Sequence, residues 1–335
     1  FAHTFKRRVG KSPMDCLNEI RMGKAKEKLL LSNGRIRDIA REVGFRDEFY
    51  FSRKFKQTIG ISPVHFQKRK LTKVASLSFP YAGHLLALGV IPYATFVDDR
   101  RDRHRQPFFS DIPFHLGRTK AMDSGLREHN LDKLLQAGPE LILCDDDERH
   151  GGFEQMNKIA PTVAIPWMQH DWRSHFRLIA ALFGKEKEAW DWLRAYEQKA
   201  AHAADRLRLT IGEDTVSIFH IMQGMLVVYG GRNGGAVLYG DLRLTPAFET
   251  SEIRVYKEIG EEHMADYAGD RLLLVVDADP LSQQLWGNLG RSAAWQGLKA
   301  VRRRQVHRLN ETPLLDYSAY AHDQIIDMIV RLFCR

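Results

Sequence analysis

Short β-rich runs are missing from the first 70 residues of this 335-residue chain and recur through all the rest, so one uniform core is excluded. Before that break the apolar residues keep a helical spacing. In 12–32, SPMDCLNEIRMGKAKEKLLLS, Ser12 caps, Pro13 takes the first helical position, and Met14, Leu17, Ile20, Met22, Ala25 and Leu29 mark one stripe that ends at Asn33-Gly34. Two short amphipathic helices are predicted next, IRDIAREVGF (36–45) and DEFYFSRKFKQTIG (47–60). Gly44 supplies the tight turn between them and Asp47 the N-cap of the second, which is helix-turn-helix spacing. ISPVHFQKRK adds a short terminal helix and a basic linker.

Beyond Leu71 the runs TKVASLSF, VIPYATFV, ELILC, TVAI, TVSIFHI, MLVVYG and RLLLVVDA are strand-like. Helical patterns such as GHLLALG, NLDKLLQAG and FEQMNKIA lie between several of them, which predicts βα units and a parallel sheet. Residues 171–209 carry no strand signal and predict one or two helices, the second unusually long. The expected protein is therefore multidomain. An all-α helix-turn-helix domain over 1–70 precedes an α/β domain over 71–335, whose two lobes are joined by a long connecting helix and flank a cleft of strand-end loops.

Charge divides at the same point. Residues 1–70 hold 18 Lys and Arg against 7 Asp and Glu; of chain totals of 50 and 42, the remainder holds 32 against 35. The first segment thus has the electrostatics of a polyanion binder and the second does not. No apolar run approaches the length of a membrane span, and FAHTFKRRVG carries no signal-peptide core, so a soluble, cytoplasmic protein without membrane partners is expected. A helical pattern already running at Phe1, with no initiator Met, predicts that the chain is cut from something longer. Cys16, Cys144 and Cys334 are odd in number and lack metal-ligand spacing, which favours a reducing compartment.

GKSP, RMGKAKEKLL and the ordered string IA-x2-VGF-x4-YFSR-x-FK-x3-G-x-SP resemble the DNA-binding domain of AraC/XylS-type transcription activators. The resemblance implies two helix-turn-helix units, the first represented here only by FAHTFKRRVG. It places Arg46, Glu48, Phe49, Ser52 and Arg53 toward bases, Lys54 and Lys56 toward phosphates, and Ala2 and His3 in the remnant of the first reading helix. Phe45, Phe51, Phe55 and Ile59 recur at helical spacing and are expected in the core.

From Lys73 onward, KVASLSFPYAGHLLALGVIP, HLGRTKAMDSGLREHNLDKLLQAGPELILC, KIAPTVAI, LYGDLRLTP, YKEIGEEHMADYAGDRLLLVV and WQGLKAVRRRQVHRL resemble the two-lobed substrate-binding proteins of iron-siderophore and cobalamin importers. QGMLVVYGGRNGGAVLYGDL is most similar to binders of ferric catecholates. Together the two halves resemble cytoplasmic activators that sense an imported ferric siderophore and switch on its uptake genes. The implied partners are operator DNA, the ferric siderophore as effector and RNA polymerase; no resident cofactor or metal is implied.

A ferric tris-catecholate is a large trianion with aromatic faces, so cations and aromatic walls are the side chains to look for. Arg100, Arg101, Arg103 and Arg105 in VDDRRDRHRQ, Arg118 and Lys120 in GRTK, and Arg232 in YGGRNGG are the cationic candidates, Lys120 being the best carry-over. Tyr81, Trp172, Tyr229, Tyr239 and Trp286 are the candidate walls, and His220 and Gln223 lie on the FHIMQG strand. Two departures bear on ligand class: Met222 stands at a position that is arginine in the nearest catecholate binders, and CDDDERH (144–150) places acid where a lysine would help. Catalysis is not expected. GGRNGG lacks the Gly-Lys-Ser/Thr of a phosphate loop, and neither a G-x-S-x-G elbow nor HExxH is present. The acidic run Asp145–Glu148 lacks the spaced ligands and turn glycine of a calcium loop. A transport receptor and a siderophore-processing enzyme are the competing readings; unchanged ligand after incubation separates a sensor from an enzyme.

Overall fold

The structure, a computed structural model, describes residues 12–31, 34–59, 62–68, 71–98, 102–117, 124–146, 152–309 and 313–334, together with Phe5. The chain divides into two compact units, one of 1–81, 91–96 and 112–188, the other of 82–90, 97–111 and 189–335.

The first unit opens with four helices, α1 (Pro13–Leu31), α2 (Ile36–Glu42), α3 (Glu48–Ile59) and α4 (Pro63–Lys68). Phe45, Phe51, Phe55 and Phe66 form the centre of this block, with successive ring centroids 5.4, 5.6 and 5.3 Å apart. Phe51 and Phe55 sit one turn apart, so both point the same way from α3 and are fully buried. Ile59's side chain lies outside the described structure. Gly44 has φ +92°, which an L side chain rarely adopts, and the chain reverses there by donating from Gly44 N to Arg41 O and from Phe45 N to Ala40 O. On α1 the predicted stripe is buried only from Met22 through Ala25 and Leu29, against α2 and α4; Met14, Leu17 and Ile20 are exposed.

A five-stranded sheet follows, built from β1 (Val74–Ser76), β2 (Ala94–Phe96), β3 (Phe114–Leu116), β4 (Leu141–Asp145) and β5 (Thr162–Ile165) in the order β3-β2-β1-β4-β5. Every pairing is parallel, as the βα pattern predicts. Its helices are α6 (Ser124–Ala137), α7 (Phe153–Ile159) and α8 (Trp172–Leu182), whereas α5 (Phe79–Ala87) belongs to the other unit from Ala82 onward. The near-continuous burial of β1, β2 and β4 is that of strands covered on both faces.

The predicted long helix is α9 (Glu186–Ile211), 26 residues. The second sheet contains β6 (Val216–Met222), β7 (Met225–Tyr229), β8 (Tyr256–Glu258), β9 (Arg271–Val276) and β10 (Val306–Leu309), ordered β10-β9-β6-β7-β8. Here the all-parallel expectation needs correction. β6 and β7 form a hairpin, and β8 adds antiparallel to β7. The reason is local: Gln223 and Gly224 take φ +52° and +77°, the two left-handed residues of a tight hairpin turn. Helices α10 (Met264–Tyr267), α11 (Pro280–Leu289), α12 (Ala293–Gly297), α13 (Lys299–Arg302) and α14 (Ala319–Phe333) complete the unit. Lys199 ties α9 to α14 through Asp323 (2.9 Å) and Asp327 (2.8 Å).

At the N-terminal ends of β6 and β9, Asp270 accepts from Lys299, from Thr215 N (3.1 Å) and Oγ1 (3.0 Å), and from Arg303 (3.1 Å). The Lys299 hydrogen bond is the main cause that holds its carboxyl down, at about 2 against an ordinary 3.8. A depressed carboxylate stabilises the fold above its unfolded pKa, and that contribution is lost as the pH falls through the folded value. Lys299 is 63% exposed, so solvent screens the pair and the gain is about 1 kcal/mol. Asp270→Asn is therefore expected to be destabilised by that amount in urea titrations at neutral pH. The gap to the parent should close between about pH 4 and pH 2; a gap that persists in acid would assign the loss to packing.

Candidate functional site

Helix α3 presents the first candidate surface. Asp47 precedes it and accepts from Tyr50 N, and Thr58 Oγ1 donates to Lys54 O at 2.9 Å. Burial of Phe51 and Phe55 on one side leaves Arg46, Phe49, Arg53 and Lys56 exposed on the other, at i, i+3, i+7 and i+10. Phe49 is 77% exposed, an unusual position for a phenylalanine without a partner surface. Glu48, Ser52 and Lys54 are half-buried along the edges of this face. A stripe of one aromatic and several cations has the chemistry for base edges flanked by phosphates. Ala2 and His3 lie outside the described residues.

The second candidate surface is the C-terminal edge of the first sheet. Tyr81, a proposed wall, is fully buried and donates from its hydroxyl to Ile165 O at 2.8 Å. Trp172 is 1% exposed, with the Arg173 guanidinium 4.3 Å above its ring. Both are core residues that do not line the surface of this edge. The half-buried tryptophan at the strand ends is instead Trp167, stacked on buried His175 at 5.8 Å and 17°. Its backbone N donates to Asp146 at 2.8 Å, which gives one member of the acidic run a structural task. Arg100, Arg101, Arg118 and Lys120 lie outside the described residues.

In the second unit His220 and Tyr229 come together across the β6–β7 hairpin. His220 Nε2 is 2.9 Å from Asp277, Nδ1 is 3.4 Å from the Tyr229 hydroxyl, and the two rings stack at 6.0 Å. The histidine is 3% exposed, so this is a buried, partnered group. Gln223 is exposed in the hairpin turn beside it. Arg232 stacks at 4.2 Å on Tyr317, and Asn233, at φ +52°, donates to Leu315 O at 2.8 Å.

Three further candidates are committed elsewhere. Tyr239 donates to Val216 O at 3.3 Å, and burial pushes its phenol well above the ordinary value. Trp286 packs edge-on against Trp295 at 5.0 Å in the apolar cluster of this lobe, with Arg308 at 5.6 Å. From Arg103 onward the arginine-rich stretch is a 3-10 helix (Arg103–Asp111). Arg105 in it is 2% exposed and paired with Asp102 at 3.0 Å, while Arg103 is exposed. Burial raises the Asp102 carboxyl, against the lowering effect of Arg105. His104 pairs with Asp316 at 3.1 Å.

Sequence reasoning missed Asp277, Tyr317 and Trp167, the partners that fix His220, Arg232 and His175. Asp277 alone left a trace, as the first acid after the apolar β9 run. Among the described residues no cluster of His, Cys, Asp and Glu could hold a metal ion, and no helix is long and apolar enough to cross a membrane.

The helix-turn-helix domain model matches residues 1–69, and the periplasmic binding protein model matches residues 75–313. The chain is 30% identical over 333 residues to the HTH-type transcriptional activator Btr of Bacillus subtilis, an alignment that takes in 99% of this chain and 62% of that protein. It is 27% identical to the iron(3+)-hydroxamate-binding protein FhuD of the same organism, over 59% of this chain and 64% of FhuD. It thus spans about three-fifths of the length of these relatives. Among solved structures, the triscatecholate siderophore binding protein FeuA from Bacillus subtilis, complexed with ferri-bacillibactin, superposes with a TM-score of 0.65. That match is 20% identical and covers 78% of this chain and 92% of FeuA, a likeness of fold.

Proposed function

The chain belongs to the periplasmic binding protein family, with a helix-turn-helix domain ahead of the binding module, and we propose that it is a transcription regulator that reads DNA and answers to a ferric siderophore. The observation that carries this is the alignment along 99% of the chain with a transcriptional activator, through both halves in one order. A binding module fixed to a DNA reader reports ligand concentration, because the reader must stay with the genome. The protein then works in the cytoplasm, as an activator of iron-siderophore uptake genes with RNA polymerase as a further partner.

In this reading the exposed face of α3 enters the major groove, with Arg46, Glu48, Phe49, Ser52 and Arg53 at base edges and Lys54 and Lys56 at phosphates. Ala2 and His3, outside the described residues, are proposed as further DNA contacts. The effector is held by the cations Arg100, Arg101, Arg103, Arg118, Lys120 and Arg232 of the binding module, together with Gln223, His220 and Tyr229. A ferric tris-catecholate is the first ligand proposed. A hydroxamate is the second reading, favoured by one observation: at the end of β6, His220 is engaged by the carboxylate of Asp277 and Met222 stands next in line but one, so that strand end brings little positive charge to a trianion.

Tryptophan fluorescence decides between them. Ferric and iron-free tris-catecholate, hydroxamate and carboxylate siderophores, and cobalamin, are titrated into the protein with absorbance overlap corrected. Submicromolar quenching by one ferric chelate, weakened at least tenfold by Lys120→Ala or Arg232→Ala, about 1.4 kcal/mol, is the expected result. Binding of none of them would remove the siderophore from the reading, and chemical change of a bound siderophore would favour an enzyme.

A further inference from the structure

We infer that the DNA-reading block is seated on the lobe of the first sheet as one rigid body, so that this lobe's orientation sets that of the reading helix. The inference rests on the proposed regulator function, since it names how that function would be transmitted.

Helix α1 packs against α8 and against β5, the edge strand of the first sheet. An edge strand covered by a helix is protected from further pairing, so this placement is one the sheet itself favours. Within α1, Gly23 occupies the middle of a 19-residue helix, where glycine costs roughly 1 kcal/mol relative to alanine. Its backbone is not in the left-handed region, so no turn calls for glycine there. Its neighbour is close: a Cβ at residue 23 would lie 3.1 Å from Asn157 Nδ2 of α7, so that side-chain end would have to give by a few tenths of an ångström. The missing side chain lets the helix approach the lobe.

The described residues on either side of the connection are held as well. Thr72 N (2.7 Å), Thr72 Oγ1 (3.0 Å) and Lys73 N (3.0 Å) all donate to one oxygen of Glu140, which precedes β4. Leu71 is buried, and at the start of the linker Gln67 donates to Gly34 O at 3.0 Å, which holds that end to the block. A free tether would leave these donors to water. Thr72 and Lys73 are thus held to the lobe and Gln67 to the block, and the α1 face is the contact that joins the two.

The test is 15N relaxation on the deuterated 335-residue chain, which reads the tumbling of each amide. Equal rotational correlation times for α1–α4 and for the first sheet are expected; a severalfold shorter time for the helical block would overturn the inference. Gly23→Trp should shorten the block's correlation time while amide shifts of β1–β5 stay in place. Asn157→Trp approaches the same contact from the lobe and should do likewise, so a folding failure of one variant leaves the other to decide. No change with either would sink the docking face. A mixed-sequence DNA duplex is added last to the same samples. Absence of DNA binding would count against the regulator reading while the relaxation data still settle the docking.

Discussion

Phe51→Ala is expected to abolish DNA binding by unfolding the helical block while the two sheets stay folded. Phe51 is fully buried and touches both Phe45 and Phe55, so its removal leaves a void at the centre of a chain of four rings. Such truncations cost about 3 to 5 kcal/mol. A block of about 60 residues buries too small a fraction of its surface to hold that much in reserve, and whole domains have only about 5 to 15 kcal/mol. Phe49→Ala is the control on the same helix. At 77% exposure Phe49 contributes little to stability, and its loss should change the unfolding free energy by less than about 0.5 kcal/mol. If Phe49 faces bases, duplex affinity still falls. Duplex titration beside thermal unfolding separates the cases: Phe51→Ala loses both signals, Phe49→Ala only the first. Full duplex affinity in Phe51→Ala would show that the aromatic chain is not what holds α3 in place.

The helical block and the first sheet were open to reading from sequence because their signals are local. Gly44, Asp47 and the Phe51–Phe55 spacing define the turn and the inward face without help from distant residues, and the apolar runs of β1, β4 and β5 are short, bounded and joined by helices. The β6–β7 hairpin was not, since Gln-Gly is a weaker hairpin signal than Asn-Gly and the two runs on either side read equally well as members of a parallel sheet. Site residues were legible in kind and less so in role. Arginines and aromatics in loops suggested a polyanion site, yet Arg105, Tyr81, Trp172 and Tyr239 are taken up by Asp102, Ile165 O, Arg173 and Val216 O. Two of those four partners are backbone carbonyls, which every residue carries and which no pattern of side chains can announce. The pairing of His220 with Asp277 joins positions 57 apart and depends on β6 lying beside β9, which is a fact of topology.

That dependence is strongest in the glycine-rich turn after β7, where Gly230→Ala is expected to have the largest effect on the second unit. A Cβ at residue 230 would meet Ile253 O at 1.8 Å and Ile253 C at 2.7 Å, a clash with backbone that no rotamer relieves. The segment ahead of β8 must shift, yet Gly230 N is bonded to Val255 O at 3.0 Å, and Gly235 meets Gly230 O at the same 1.8 Å if it too gains a side chain. Overpacking of this kind costs about 3 kcal/mol, or roughly 10 °C in Tm for a unit of this size. Between the two glycines sit Arg232 on Tyr317 and Asn233 on Leu315 O, so the strain reaches Arg232, a cation proposed for the ligand. Arg232→Ala removes the cation without moving the backbone; losing the stacking costs about 1 kcal/mol. Paired measurements of Tm and ferric-chelate quenching then assign the turn's role. If Arg232 contacts the ligand, Arg232→Ala weakens binding while Tm falls by only about 3 °C, and Gly230→Ala lowers both. If Arg232 only braces Tyr317, Arg232→Ala leaves quenching intact, and the turn is a structural clasp whose charge the ligand never meets.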